Sequence, residues 1–318
     1  MSALYLREAD VRELLDMELA IDVIEQAFQQ LAEGRASNVP RQRAHAPGIY
    51  LHTMSAAAEY LGLVAWKTYT TTAKGARFLV GVSSQLDGSL VALIEADYLG
   101  QLRTGAASGV ATSYMARPDS KVVGLFGTGH QARTQLKAVC TVCRVEVVEV
   151  YSRSEERRQA FAEEMSEYCN TRVVAVHSPD EAAAEKDIVI CASTSRAPLF
   201  DGRVLDEGTH INAIGSNFLE RTELDETTVR RADIIVCDSI AQCRLEAGDF
   251  VAAMENGATD WRLMHELSDV VSGRTPGRAA PEQITLFKSV GLAIEDLALA
   301  AKLIELAKVE GFGERLPL

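Results

Sequence analysis

The segment Val122-Val123-Gly124-Leu125-Phe126 runs straight into Gly127-Thr128-Gly129-His130-Gln131-Ala132, a junction that few folds accept. An apolar run of strand length meets a glycine-rich turn and passes into a helix-like segment reaching Val139. This is G-x-G-x-x-A with a strand before it and a helix after it. Gly127 allows the tight turn, Gly129 lets the backbone approach a pyrophosphate, and Ala132 is small enough for helix and strand to lie close. Phosphates would rest on unpaired N–H groups at the helix N-terminus, making Gly127, Gly129, His130 and Gln131 the candidate dinucleotide contacts. The bland alternative is an ordinary tight strand-to-helix turn.

The surrounding pattern supports a parallel sheet. Strands are predicted at 121–127, 145–151, 172–176, 187–192, 210–214 and 233–237, with helices near 130–142, 154–168, 179–185 and 223–231. Alternation at this spacing makes a Rossmann-type, doubly wound α/β unit. After Ile240 come helical stretches, a loop with Gly273, Pro276, Gly277 and Pro281, and a strand-like Ile284-Thr285-Leu286-Phe287. Ser289 would cap a last helix from Val290 to about Val309, ended by Gly311.

The first hundred residues read differently. Asp16 would cap a helix from Met17 to about Glu33, and Pro40 marks Asn38–His45 as a loop or edge strand with basic side chains. Leu63–Thr70 is rich in β-formers, and Asp87-Gly88 between Phe78–Gln85 and Leu90–Ile94 is a hairpin signal. An antiparallel sheet follows, with edges that need covering or pairing. Leu99–Met115 is a small-residue helix built for close packing. With the last helix crossing back, a discontinuous α+β domain of residues 1–114 plus 289–318 is expected beside a dinucleotide-binding domain of residues 115–288.

A chain of 318 residues with 47% hydrophobic and 24% charged residues has room for two such domains. A net charge of −13 argues against nucleic acid or an anionic membrane as the main partner. No apolar run has the length of a membrane span, and Met1-Ser2-Ala3-Leu4-Tyr5 lacks a basic then apolar leader, so a cytoplasmic protein is expected. The cysteines at 140, 143, 169, 191, 237 and 243 are scattered, which favours reduced thiols. Cys140-Thr-Val-Cys143 has no second pair at zinc spacing, and the histidines form no ligand cluster, so no metal is expected.

Cofactor choice turns on the end of the second strand. An acid about 20 residues past the glycines normally grips the ribose hydroxyls. Here Val147–Tyr151 is followed by Ser152-Arg153-Ser154, and a guanidinium between two hydroxyls suits a 2′-phosphate. Ser152 or Ser154 would equally cap the next helix, leaving Arg153 free. NADP(H) is therefore favoured over NAD(H).

Several blocks together resemble the ornithine cyclodeaminase/mu-crystallin family over nearly the whole chain. They are Val39-Pro40-Arg41, Ala65-Trp66-Lys67, Leu102-Arg103-Thr104-Gly105-Ala106-Ala107-Ser108, Gly127–Ala132, Asn212-Ala213-Ile214-Gly215 and Ser289-Val290-Gly291-Leu292-Ala293-Ile294-Glu295-Asp296. The resemblance implies a homodimer paired through the antiparallel sheet, and a nicotinamide dinucleotide and a small amino or imino acid bound between the domains. It implies that Arg41 and Lys67 hold the substrate carboxylate and that Arg103 sits near substrate and cofactor. Thr104 would touch the cofactor phosphates, Ala192 and Ser193 would line the dinucleotide, and Ile214 and Ser289 would lie beside the nicotinamide. Residues such as His45, His52, Thr70 and Phe218 would shape the side-chain pocket.

One departure bears on chemistry. Ornithine cyclodeaminase carries a catalytic aspartate where this chain has Asn217. An amide cannot accept the proton or hold the charge required when an ornithine amine attacks carbon, although it can hydrogen-bond a substrate nitrogen. Asp225 and Glu223 would serve as helix cap and surface charge. The expectation is therefore an NAD(P)H-dependent reductase of imines alpha to a carboxylate, such as pyrroline- or piperideine-2-carboxylate or imines of 2-oxo acids, giving L-amino acids. Arg41, Lys67 and Arg103 fix the carboxylate, and Lys67 adjusts protonation at nitrogen. The alternatives are an alanine-dehydrogenase-like enzyme, an ornithine or lysine cyclodeaminase, and a mu-crystallin-like binding protein without turnover.

Overall fold

The computed structural model describes residues 3–317; Met1 and Ser2, which belong to the leader argument, and Leu318 lie outside it. The chain forms two compact units, one from the residues up to Thr104 with those from Gly291 onward, the other Gly105–Val290. The first division falls near the middle of the helix Asp97–Met115, whereas the sequence placed it at 114/115, just before that helix's last residue. The second falls at 290/291, two residues beyond the expected point.

In the first unit the strands are β1 (Leu4–Leu6), β2 (Ala36–Ala46), β3 (Ile49–Ala58), β4 (Leu63–Thr72), β5 (Gly75–Ser84) and β6 (Leu90–Glu95). With the strand Glu314–Arg315 they form one sheet in the order Glu314–Arg315, β1, β6, β5, β4, β3, β2. The Asp87-Gly88 signal joins antiparallel β5 and β6, and the Pro40 segment is the edge strand β2. Strand β1 pairs parallel to β6 and is followed by a helix Glu8–Leu14. Neither was foreseen, because both are too short to show a period.

Two helices cover this sheet. Asp16 Oδ1 accepts from Leu19 N at 2.9 Å and starts the helix Met17–Ala32, which buries Ala20, Ile24, Ala27 and Phe28. The helix Ala293–Glu310 packs on that helix and across β2 to β5. It buries Leu297, Leu299, Leu303 and Ile304 together with the acids Glu295 and Asp296.

Ser289 does not cap this last helix. Its N–H still donates to Ala213 O, and its hydroxyl donates to Asp238 Oδ2 at 2.8 Å, so the strand runs on and the helix begins only at Ala293. The cap comes from another strand: Asn38 Oδ1 accepts from Ala293 N at 2.8 Å and Ile294 N at 3.2 Å. Two otherwise orphaned helix donors are thereby satisfied by one amide.

The second unit holds β7 (Val122–Phe126), β8 (Val147–Tyr151), β9 (Arg172–Ala175), β10 (Ile188–Cys191), β11 (His210–Ala213), β12 (Ile234–Cys237), β13 (Met264–Glu266) and β14 (Thr285–Lys288). All pairings are parallel, in the order β13, β12, β14, β11, β10, β7, β8, β9. The strand-like 284–287 thus inserts between β11 and β12. Every residue of β10, β11 and β14 is buried, as expected for strands covered on both faces. The order reverses at β7, whose neighbours β8 and β10 lead away on opposite sides, and ligands bind at the carboxyl ends of strands at such a point.

If Asn38 caps the last helix, Asn38→Ala should lower unfolding stability by about 0.5–2 kcal/mol. A urea titration would show this as a lower midpoint at unchanged slope; an unmoved midpoint would remove the cap from the account.

Candidate functional site

A cavity of about 890 Å³ opens where the chain leaves β7, β8 and β10. Its walls are Phe126–His130 after β7, Tyr151–Ser154 after β8, and Ala192–Ser195 with Leu199 after β10, closed by Arg133, Arg157, Ala160 and Phe161 from the flanking helices. Gly127 has φ +109°, and a Cβ there would lie 2.3 Å from Ala192 O, so only glycine lets the turn pass this close to β10. Gly129 is the N-cap of the helix His130–Val142 and supplies no side-chain cap. A Cβ at Gly129 would meet nothing within 4 Å. The helix N-terminus is therefore bare and open. Ala132 is buried in the core with Leu136, Val123 and Ile190.

At the far wall Ser154 Oγ accepts from Arg157 N at 3.3 Å, so this serine does cap the helix Glu155–Cys169. Ser152 Oγ donates to Ser154 O at 3.1 Å, and buried Arg158 holds Ser152 O at 3.0 Å. The tip is thus fixed while Arg153 remains exposed on the cavity wall.

Beneath the cavity lies a buried ionic group that the sequence reading missed. Glu223 was expected to be a surface charge on a helix, but the helix is Glu226–Arg231, with Asp225 as its cap, and Glu223 is fully buried before it. Its Oε1 accepts from Ser193 N at 2.6 Å and its Oε2 from Gly215 N at 2.7 Å. Asp249 Oδ1 accepts from Glu223 N at 2.6 Å and Leu224 N at 3.1 Å. Lys288 Nζ donates to Asp249 Oδ2 at 2.6 Å and Ser216 O at 2.7 Å. Burial pushes Glu223 up to about 7, helped by Asp249 and opposed by Lys288. Burial works against the Lys288 charge, yet the Asp249 carboxylate overrides it and its pKa is raised.

The second cluster belongs to the first unit. Strand β4 buries Ala65, Lys67 and Tyr69 and exposes Val64 and Trp66, so its lysine faces inward while its tryptophan is 39% exposed. Arg41 reaches the same face through a β-bulge: Val39 pairs with Ser55 and Gln42 with Thr53, which leaves Pro40 and Arg41 together opposite Met54. Met54 pairs in turn with Lys67.

Lys67 Nζ donates to Asp296 Oδ1 at 2.6 Å, Arg103 NH1 to Glu295 Oε2 at 2.6 Å, and Arg103 Nε lies 3.3 Å from Asp296 Oδ1. Arg41 NH2 donates to Gly291 O at 3.4 Å. Gly291 has φ +83°, and a Cβ there would lie 2.5 Å from Arg103 NH1. Burial pushes Lys67 down to about 8; Asp296 opposes the shift, while Arg103 and Arg41 add to it. His52, stacked on Tyr69 at 4.2 Å, is held neutral by burial, its pKa near 4. Glu295 and Asp296 occupy the first turn of the helix Ala293–Glu310, where its dipole favours negative charge.

The predicted residues therefore separate into groups. Gly127, Gly129, His130, Ser152, Arg153, Ser154, Ala192 and Ser193 line one cavity. Gln131 and Ile214 do not; Ile214 packs in the core beside Ala192. Arg41, Lys67 and Arg103 are buried together, and the Thr104 hydroxyl one residue on donates to Gly100 O at 2.7 Å. Asn217 is half-buried in the loop after β11. Cys140 and Cys143 are half-buried thiols, and no group of three metal-ligating side chains occurs among the described residues. The sequence reading gave no role to the counter-ions Glu295 and Asp296, did not single out Lys288 or Asp249, and placed Glu223 on the surface. Their signal was charge inside apolar runs, as in Ile294-Glu295-Asp296-Leu297.

The comparisons with known proteins agree on the lineage. The sequence profile of the ornithine cyclodeaminase/mu-crystallin family matches residues 1–310. A Delta(1)-pyrroline-2-carboxylate reductase of Bacillus cereus is 32% identical over 315 residues, 96% of this chain and 97% of that one. The Thermococcus litoralis Delta(1)-pyrroline-2-carboxylate reductase, solved with NADH and L-proline, superposes with a TM-score of 0.94 at 36% identity, covering 98% of this chain and all of that one. An archaeal alanine dehydrogenase dimer with bound NAD gives a TM-score of 0.94 at 30% identity over the full length of both chains. The chain belongs to the ornithine cyclodeaminase/mu-crystallin family.

Proposed function

We propose that the protein is an NAD(P)H-dependent reductase of C=N bonds alpha to a carboxylate, acting on cyclic ketimines of the pyrroline-2-carboxylate type. The observation that carries this reading is the buried cluster of Arg41, Lys67 and Arg103, three cations against the two carboxylates of Glu295 and Asp296. Three cations gathered on one buried face can hold a carboxylate through charge-assisted hydrogen bonds, and the substrate supplies such an anion. The similar Thermococcus enzyme holds NADH and L-proline, the product expected of pyrroline-2-carboxylate reduction.

The cavity of the second unit fits a dinucleotide. It has the volume for one, a bare helix N-terminus for the pyrophosphate at Gly129 and His130, and an arginine with two serines at the ribose end. Exposed Arg153, with Arg157 beside it, supports a preference for the 2′-phosphate of NADP(H), although the similar solved structures carry NADH or NAD. Ala192 and Ser193 are assigned to the dinucleotide wall. Thr104, Ile214 and Ser289 are assigned to its phosphate and nicotinamide contacts by family likeness.

Hydride would come from a reduced nicotinamide held in that cavity. The chain's own residues do the rest. Arg41, Lys67 and Arg103 orient the substrate by its carboxylate, and fixed charge of this kind acts without reorganisation. Lys67, titrating near 8 and hydrogen-bonded to Asp296, delivers the proton that makes the imine an iminium. Asn217 hydrogen-bonds the substrate nitrogen. An amide there cannot take up a proton, which disfavours ornithine cyclisation. A homodimer is the assembled form: Val39, Leu51, Val64, Trp66 and Leu79 are all exposed on the outer face of the antiparallel sheet.

Purified protein with NADPH or NADH and pyrroline-2-carboxylate should consume the reduced nicotinamide and form L-proline. Proline from ornithine with no oxidation on any imine would overturn the reading.

The proton role of Lys67 predicts that kcat/KM for imine reduction falls as pH rises past about 8. Lys67→Arg keeps the charge but should lose this limb, and Asp296→Asn should move it to lower pH. An unchanged limb in Lys67→Arg would assign the proton to another group. For the coenzyme, Arg153→Ala should weaken NADPH by about tenfold, ~1.4 kcal/mol for one lost charge-assisted contact, and leave NADH nearly unmoved. Equal losses for both coenzymes would remove Arg153 from the 2′-phosphate.

A further inference from the structure

The loop from Ala192 to Leu199 forms one wall of the dinucleotide cavity and contains no helix or strand of its own. Both of its ends are tied to one residue. Ser193 N donates to Glu223 Oε1 at 2.6 Å, and Leu199 N donates to Glu223 O at 2.8 Å. The other carboxylate oxygen, Oε2, accepts from Gly215 N at 2.7 Å and so joins the exits of β10 and β11. A Cβ at Gly215 would lie 2.5 Å from both carboxylate oxygens, so only glycine admits the acid at this position.

We propose that Glu223 is a positioning residue for the dinucleotide cavity, clamping the Ala192–Leu199 wall to the β11 exit through an ionised carboxylate. This rests on the reading that the cavity holds the coenzyme. The geometry makes the charge state matter, because each oxygen already faces an N–H donor. A proton on either oxygen makes it a poorer acceptor, ends the charge assistance, and loosens one strand exit.

The groups facing Glu223 are Asp249, Lys288 and the Cys191 thiol, which burial holds neutral by raising its pKa well above normal. Lys288 is committed to Asp249 and Ser216 O, so two buried acids share one cation. Burial first, and the neighbouring Asp249 carboxylate second, are why the Glu223 proton leaves only near pH 7. The sign follows from linkage. The folded pKa lies above the ordinary 4.5, so the folded chain keeps a proton that the unfolded chain has lost, and stability falls as pH rises between these values. The clamp therefore closes at the expense of stability.

The test uses wild type and Glu223→Gln, whose amide offers one acceptor and one donor and so mimics the protonated acid. NADH is the probe because it has no 2′-phosphate to titrate. Wild type should bind NADH about tenfold more tightly at pH 8 than at pH 6. Glu223→Gln should bind at the weak level throughout and lose the fall in stability between about pH 4.5 and 7. In the protein without coenzyme, the backbone amide resonances of Ser193 and Gly215 should titrate together near pH 7 in wild type and not in Glu223→Gln. Amides that do not titrate, or NADH binding that is flat with pH in wild type, would overturn the clamp. A protein that binds no nicotinamide coenzyme would instead overturn the proposed function, and the amide titration would still decide the clamp.

Discussion

The first unit is arranged around keeping cations out of water. Lys67 and Arg103 are nearly inaccessible to solvent, and an isolated ammonium or guanidinium so placed would be costly. Glu295 and Asp296 make the burial tolerable, and these acids are themselves stabilised at the start of a helix. That helix can begin only where Gly291 turns the chain and Asn38 supplies the missing cap. The register of β4, the bulge in β2 and the start of the last helix are thus parts of one electrostatic arrangement. A one-residue slip of β4 would bury Trp66 and turn Lys67 outward.

The second unit solves a different problem with the same means. Parallel strands leave the sheet at one end, and the loops that follow them must be rigid enough to hold a ligand yet open enough to admit it. Backbone N–H groups of these loops end on buried carboxylates: Ser193 and Gly215 on Glu223, Glu223 and Leu224 on Asp249, Ser239 and Val290 on Asp238. A charged acceptor holds an amide more strongly than a carbonyl does. The cavity walls are therefore set by ionic groups beneath them, while the helix N-terminus at Gly129 stays bare for an anion.

The local features were readable because their signals are local. The Gly127–Ala132 turn, the Asp16 and Ser154 caps, the Asp87-Gly88 hairpin and the alternation of strands and helices each depend on a few neighbouring residues. Arg41, Lys67 and Arg103 came from family likeness, since a lone lysine in an apolar strand does not say which face it takes. Short elements such as β1 and the Glu8–Leu14 helix offered no period to read. The acids were misjudged for a related reason: composition places charge on the surface, and Glu223 followed by Asp225 looks like the ordinary start of a helix.

By itself the sequence determined the kind of molecule: a doubly wound parallel unit carrying a glycine-bearing turn, and an antiparallel unit with basic side chains, because periodicity and turn chemistry are properties of adjacent residues. Tertiary structure alone decided which charges meet. Lys67 and Asp296 are 229 residues apart in the chain and Lys288 and Asp249 are 39 apart, and no local preference encodes such pairings. They arise when packing removes water and leaves each buried charge only the partners that the fold brings within reach.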